Sequence, residues 1–107
     1  MTKLSQLELN ENMLTYVQFA DIYDCQSLMH LGLESNMFEI LKNEMFKGLH
    51  KLAKLNLDFN LIKTIESKAF YGLNNLLELS LKGNQLENIS FNSNEIKNLK
   101  TLDLSFN

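Results

Sequence analysis

The chain has 107 residues, of which 45% are hydrophobic and 21% are charged, and its net charge is −3. These values suit one soluble folded domain, and the small negative charge lacks the basic stripe of a nucleic-acid-binding protein, so no nucleic-acid partner is predicted. No apolar run approaches the roughly 20 residues that cross a bilayer, and the start MTKLSQLELNEN has no apolar signal-peptide region. We therefore predict no membrane insertion by this segment.

One nine-residue phrase recurs along the whole chain. It reads Leu-x-x-Leu-x-Leu-x-x-Asn, and its copies are LSQLELNEN, LMHLGLESN, LAKLNLDFN, LLELSLKGN and LKTLDLSFN. Successive first leucines are separated by 24, 24, 24 and 23 residues (28 − 4, 52 − 28, 76 − 52 and 99 − 76). A fixed period of this size predicts a solenoid of stacked units. We expect a single domain over residues 1–107, with repeats at 4–27, 28–51, 52–75 and 76–98 and a partial repeat at 99–107.

The predicted elements follow this period in chain order. Each phrase begins a strand, because its leucines alternate with polar residues as Leu7 and Leu9 do. The second half of each repeat supplies further core residues, which in the third repeat are Ile62, Ile65, Phe70 and Leu73. The fourth repeat is one residue short, and Ile96 takes its last core position. We hypothesise that Phe91 turns inward there to fill the place of the missing phenylalanine.

This pattern resembles the leucine-rich repeat over essentially the whole chain. The segments KNEMFKGL and ESKAFYGL resemble its typical 24-residue subclass, found in animal extracellular proteins such as Toll-like receptors and insect secreted or receptor-type proteins. The resemblance implies an α/β class solenoid that is right-handed. It also implies a parallel concave β-sheet of about five short strands and short 3₁₀ or irregular convex segments.

The asparagine that ends each phrase is interpreted as structural. The chain leaves the strand there, and an amide side chain offers two donor hydrogens and an acceptor to backbone groups that lack partners in the sheet. We predict that these side chains form a ladder through the stack: Asn12, Asn36, Asn60, Asn84 and Asn107.

The outward strand positions, three, five and seven of each repeat, are the candidate protein-binding surface. The predicted binding residues are Glu8, Asn10, His30, Glu34, Lys54, Asn56, Asp58, Glu78, Ser80 and Lys82. They lean acidic, so we expect a partner with a basic patch, against the alternative that they are only solvated strand residues. Phe59 and Phe106, which precede their asparagines, are interpreted as packing beside the turn rather than as binding hot spots.

No residue pattern indicates catalysis, a metal site or a cofactor. Cys25 occupies a core repeat position, which favours a small buried hydrophobe over a nucleophile, whereas His30 is predicted to point outward. His50 lies between repeats and is expected to be solvated. Four glycines include no phosphate-binding loop. We predict that the chain is not an enzyme.

The resemblance implies a noncatalytic module that recognises a protein ligand or co-receptor in innate immunity, adhesion or development. It points to an extracellular or receptor-ectodomain setting, and the alternative is a cytoplasmic scaffold or adaptor. Asn88-Ile89-Ser90 is a candidate N-glycosylation site. The chain has no cysteine-rich caps, so we expect either a fragment of a longer protein or an uncapped solenoid that self-associates end to end.

Overall fold

The computed structural model describes residues 4–15, 25–89 and 93–107. Short strands and one 3₁₀ helix follow one another in these ranges: β1 (Gln6–Glu8), β2 (His30–Gly32), β3 (Ile40–Leu41), β4 (Lys54–Asn56), β5 (Thr64–Ile65), β6 (Glu78–Ser80), β7 (Asn88–Ile89), the 3₁₀ helix (Ser93–Ile96) and β8 (Thr101–Asp103). They form a five-stranded sheet in the order β1-β2-β4-β6-β8 and a three-stranded sheet in the order β3-β5-β7.

Neighbouring strands of the larger sheet are parallel and pair at the repeat interval. Gln6 lies opposite His30, and Lys54 lies opposite Glu78, so partners are 24 residues apart (30 − 6 and 78 − 54). Glu78 lies opposite Thr101, a separation of 23 residues (101 − 78). The short fourth repeat is therefore absorbed without a shift in sheet register. This architecture confirms the predicted solenoid with a parallel sheet.

The second sheet adds regular structure where the sequence indicated only short or irregular segments. β3 pairs with β5, and β5 pairs with β7, through two residues in each strand. Leu41 and Ile65 in these strands are buried, whereas Ile40 is 43% exposed. Strands this short leave no alternation long enough to recognise in a sequence. Across the described ranges, no helix is long and apolar enough to cross a membrane.

The buried apolar side chains of both sheets form one cluster. Leucines from the larger sheet and Leu41 and Ile65 from the smaller one belong to it. The rings of Phe46 and Phe70 stack within it, with centroids 6.5 Å apart and planes at 4°. Cys25 is a buried free thiol in the same cluster, as its repeat position predicts. The expectation for Phe91 lies outside the described residues.

Asn60 shows how the phrase-ending asparagines are bonded. Its Nδ2 donates to the carbonyls of Leu57 and Asp58 in its own turn, at 3.0 and 3.2 Å, and to Leu33 O of the preceding repeat at 3.0 Å. Its Oδ1 accepts the N–H of Phe38, also of the preceding repeat, at 3.1 Å. One side chain that is 4% exposed thus supplies both donors and an acceptor to a buried turn.

The arrangement recurs at Asn36, Asn84 and Asn107, and the bonds between repeats always run from the asparagine to the preceding repeat. Each of these amides bonds its own turn and reaches back to the preceding repeat. The amide of Asn12 donates to the carbonyls of Leu9 and Asn10, both in its own turn. A second series of amides lies near the ends of the repeats, where Asn75 Nδ2 donates to His50 O and Asn98 Nδ2 to Asn74 O, at 2.8 and 2.7 Å.

We predict that Asn60→Leu lowers the free energy of unfolding by about 1–3 kcal/mol, because it leaves buried backbone groups of two repeats without hydrogen-bond partners. Asn12→Leu is the matched control, since Asn12 holds the same repeat position, is exposed and bonds only its own turn among the described residues. Urea denaturation of the two variants measures the difference. Equal midpoints would contradict a role for the bonds between repeats.

Candidate recognition surface

The outward side of the five-stranded sheet, here termed the sheet face, carries the predicted polar columns in register. One row across the sheet contains Gln6, His30, Lys54, Glu78 and Thr101. The next row contains Glu8, Gly32, Asn56, Ser80 and Asp103. The residues between the rows in the three inner strands, Leu31, Leu55 and Leu79, are buried beneath. The fold therefore brings the predicted binding residues of these rows onto one surface.

The β1 side of the sheet face holds a polar cluster around Glu8. Its Oε1 lies 3.0 Å from His30 Nε2 and accepts a hydrogen bond from Gln6 Nε2 at 3.0 Å. Its Oε2 accepts a hydrogen bond from Asn10 Nδ2 at 2.9 Å. The carboxylate lies over Gly32, where a Cβ would meet it. Glu8 and His30 are thus committed to partners within the chain.

A shallow hollow of about 270 Å³ opens on the sheet face over β4, β6 and β8. Lys54 Nζ lies 3.9 Å from Glu78 Oε2 across its floor. The hollow is lined by Lys54, Leu55, Asn56, Asp58, Glu78, Leu79, Ser80, Thr101 and Asp103. This set contains three carboxylates and one ammonium group, so the hollow carries excess negative charge.

Two predicted binding residues also hold neighbouring repeats together. Asn10 Oδ1 accepts the N–H of Glu34 at 2.9 Å. Asp58 Oδ1 accepts the N–H of Lys82 at 2.8 Å and the hydroxyl of Ser80. Substitution of Asn10 or Asp58 would disturb stacking, because both side chains complete backbone bonding between repeats.

Hydrogen bonds within its own turn stabilise the ionised form of Asp103. The hydroxyl of Ser105 and the N–H of the same residue donate to its Oδ1 at 2.6 and 2.9 Å. These bonds, with the nearby positive charge of Lys82, hold the pKa of Asp103 below its ordinary value, against a smaller opposing effect of desolvation. These bonds therefore favour the negatively charged form of one of the three carboxylates that line the hollow.

Position eight of every repeat lies in the left-handed region of backbone conformation. The φ angles there are 56° at Glu11, 57° at Ser35, 56° at Phe59, 70° at Gly83 and 59° at Phe106. Each of the first four donates its N–H to a carbonyl of the next repeat, as Phe59 does to Lys82 O at 2.8 Å. This constraint could not be recognised from the residue types, because only one of the five residues is glycine.

Phe59 and Phe106, which the sequence placed as packing residues, are 51% and 79% exposed. Lys82 Nζ lies 5.8 and 5.4 Å from their ring centroids, within cation–π range of both. The ring of Phe59 also lies against the backbone of Gly83, where a Cβ would collide with it. We term Phe59, Lys82 and Phe106 the aromatic clamp. Phe59 packs against the turn as predicted, since its ring contacts Gly83. Both rings nevertheless have exposed surface that a partner could contact.

We predict that Gly83→Ala lowers the free energy of unfolding by about 1–3 kcal/mol, because alanine is strained at positive φ and displaces the Phe59 ring. In a Phe59→Ala background the same change should cost less, since only the backbone strain remains. Gly72→Ala is the control and should cost only the backbone strain, because its φ is also positive, at 91°, but its Cβ would meet other atoms only at 3.8 and 3.9 Å. Additive effects of Gly83→Ala and Phe59→Ala would contradict the contact.

Other residues singled out in the sequence lie away from the sheet face. His50 is exposed, with Nδ1 3.2 Å from Gly48 O. The backbone of Asn88 belongs to β7, and its side chain and Ser90 lie outside the described residues. In the described part of the chain, no three histidine, cysteine or acidic side chains are grouped so that they could hold a metal ion.

Residues 26–86 match the leucine-rich repeat family profile, and the chain belongs to this family. It is similar to the receptor chain in the crystal structure of a TLR13–ssRNA13 complex, with a TM-score of 0.73 and 25% identity. The match covers 95% of this chain and 18% of that one, so the chain spans less than a fifth of the length of the receptor chain. No curated protein matches the sequence. The family and this similarity support a protein-interaction repeat module.

Proposed function

We propose that the sheet face binds a protein ligand or co-receptor and that the chain performs no catalysis. The observation that carries this proposal is the hollow over β4, β6 and β8, which is open and polar and is lined by strands that pair in parallel at the repeat interval. A rigid surface of this kind loses little conformational entropy when it binds. Its chemistry changes from strand to strand, which suits selective recognition of one protein surface.

The charge of the hollow indicates the kind of partner. Asp58, Glu78 and Asp103 outnumber Lys54 there, and the pKa of Asp103 is lowered. A partner with a basic patch would therefore be steered to this surface and oriented on it. Glu34 extends the acidic character beside the hollow and has no described side-chain hydrogen bond, which makes it a suitable position for substitution.

The structural similarity to a receptor solved with single-stranded RNA raises nucleic acid as another ligand. Electrostatics favours protein for this chain. Nucleic acids are bound through lysine and arginine contacts to phosphates, whereas the hollow presents three carboxylates and one lysine. A phosphate backbone across this surface would be repelled, so protein remains the proposed ligand.

Affinity capture with the full-length protein would supply the partner, and the purified partner would then be measured against variants by biolayer interferometry. We expect Glu34→Lys/Glu78→Lys to weaken binding about ten-fold and to reduce its salt dependence, because two favourable charges become unfavourable. Glu39→Lys/Glu87→Lys, which makes the same charge change at exposed residues outside the sheet face, should have little effect. Equal weakening by both pairs, or wild-type binding to oligouridylate but to no protein, would contradict the proposal.

We further propose an extracellular or receptor-ectodomain setting with a role in innate immunity, adhesion or development. The similarity to a Toll-like receptor chain supports it. The position of the glycosylation sequence is also compatible with modification. Among the described strands, β7 is at the edge of the smaller sheet, and Ile89 beside Asn88 is 45% exposed.

We predict that Asn88 carries an N-glycan when the protein passes through the secretory pathway, because it begins an Asn-x-Ser sequence and the adjacent Ile89 is 45% exposed. The expected result is a mass shift that is removed by peptide-N-glycosidase F and is absent from Asn88→Gln. Asn74→Gln, which has no glycosylation sequence, is the control and should keep the shift. A secreted protein with unmodified Asn88 would remove this support for the extracellular setting.

A further inference from the structure

We propose that the aromatic clamp receives a carboxylate side chain of the protein partner, together with an adjacent apolar side chain. The inference rests on the proposed function of the sheet face and names one feature that its partner must carry. The partner would contact Lys82 through the carboxylate, and Phe59 and Phe106 through the apolar group.

The ammonium group of Lys82 differs from those of Lys54 and Lys47 in its distance from the nearest carboxylate. Lys54 and Lys47 lie within 4 Å of the carboxylates of Glu78 and Glu44, at 3.9 and 3.5 Å. Within the described part of the chain, no carboxylate lies this close to Lys82 Nζ. It lies instead over the two aromatic rings, 5.8 and 5.4 Å from their centroids. A cation–π contact positions the charge without neutralising it, so the ammonium group remains available to an anion.

Two members of the clamp, Phe59 and Lys82, are preorganised by the turns on which they lie. Phe59 has a φ of 56°, and its N–H donates to Lys82 O at 2.8 Å. Its ring lies on Gly83, the residue after Lys82, because no Cβ intervenes there. Backbone bonding and ring packing thus fix Phe59 and Lys82 relative to each other. Binding at this point therefore costs little conformational entropy. Exposed aromatic surface is also an effective anchor at protein interfaces.

The surroundings favour a protein carboxylate over nucleic acid. Asp58 accepts the N–H of Lys82, and Asp103 is close enough to Lys82 for its pKa to be lowered by that charge. A single-stranded nucleic acid carries a phosphate at every nucleotide and would bring several charges towards these carboxylates. A peptide can place one carboxylate at Lys82 and a basic or polar group over the hollow, which satisfies both regions.

The test measures two short peptides against the full chain by NMR, with the Phe59 and Phe106 rings and the Lys82 side chain as reporters. The peptides are acetyl-Leu-Glu-Leu-amide and its neutral isostere acetyl-Leu-Gln-Leu-amide. We expect both to shift the ring signals and the glutamate peptide to bind about three-fold more tightly, the size of an exposed ion pair. The Lys82→Met variant should bind both peptides equally.

Lys63→Met is the matched control, because it removes the same charge from an exposed position before β5 and should keep the three-fold preference. Equal binding of the two peptides by the wild type, or equal loss of preference in both lysine variants, would overturn the proposal. Shifts of the rings with oligouridylate but not with the glutamate peptide would also overturn it, in favour of nucleic acid. A partner that still requires Glu34 and Glu78 while the peptides show no preference would refute the clamp and retain the sheet face.

Discussion

The stack depends on satisfying the buried backbone where each strand of the larger sheet ends. At that point the chain turns away from its ladder partners, and its carbonyl and N–H groups would be left without hydrogen bonds in a site that excludes water. The asparagine amide meets this need for its own turn and for the repeat before it, as the bonds of Asn60 to Leu57 and Leu33 show. Each turn is therefore completed by its successor, so the repeats are coupled in one direction along the chain.

The same turn determines the surface. The residue before each asparagine is held at positive φ while its N–H bonds to the next repeat. Its side chain is thereby directed out of the stack, which explains why Phe59 is half exposed despite its position beside the core turn. Glycine at the corresponding place in the next repeat then leaves room for the ring. The structural constraint and the candidate binding feature are thus two consequences of one backbone conformation.

The sequence predicted the architecture well because the fold repeats one unit, and the period of that unit is visible in the spacing of leucine and asparagine. Leucine spacing fixed the strands, their parallel pairing and their inward and outward faces, and the recurring asparagine marked the turns. The smaller sheet was missed because two-residue strands leave no recognisable alternation. The left-handed residues were missed because Glu11, Ser35 and Phe59 are not residues that favour this conformation. Contacts such as Asp58 with the N–H of Lys82 depend on side-chain placement between repeats, which no spacing specifies.

Several side chains at outward strand positions have a structural role, although the repeat pattern alone would assign them to the candidate binding surface. Asn10 and Asp58 hold outward repeat positions, yet both are half-buried and each accepts a backbone N–H of the next repeat. Glu8 and His30 are paired within the chain. The residues left with uncommitted polar groups at the sheet face are therefore few, and Glu34 and Lys82 are foremost among them. These two differ in charge, and Lys82 alone is flanked by aromatic rings. A partner of the proposed kind would therefore have to match the order of charges along the sheet, and its selectivity would follow from that order rather than from the net charge of the face.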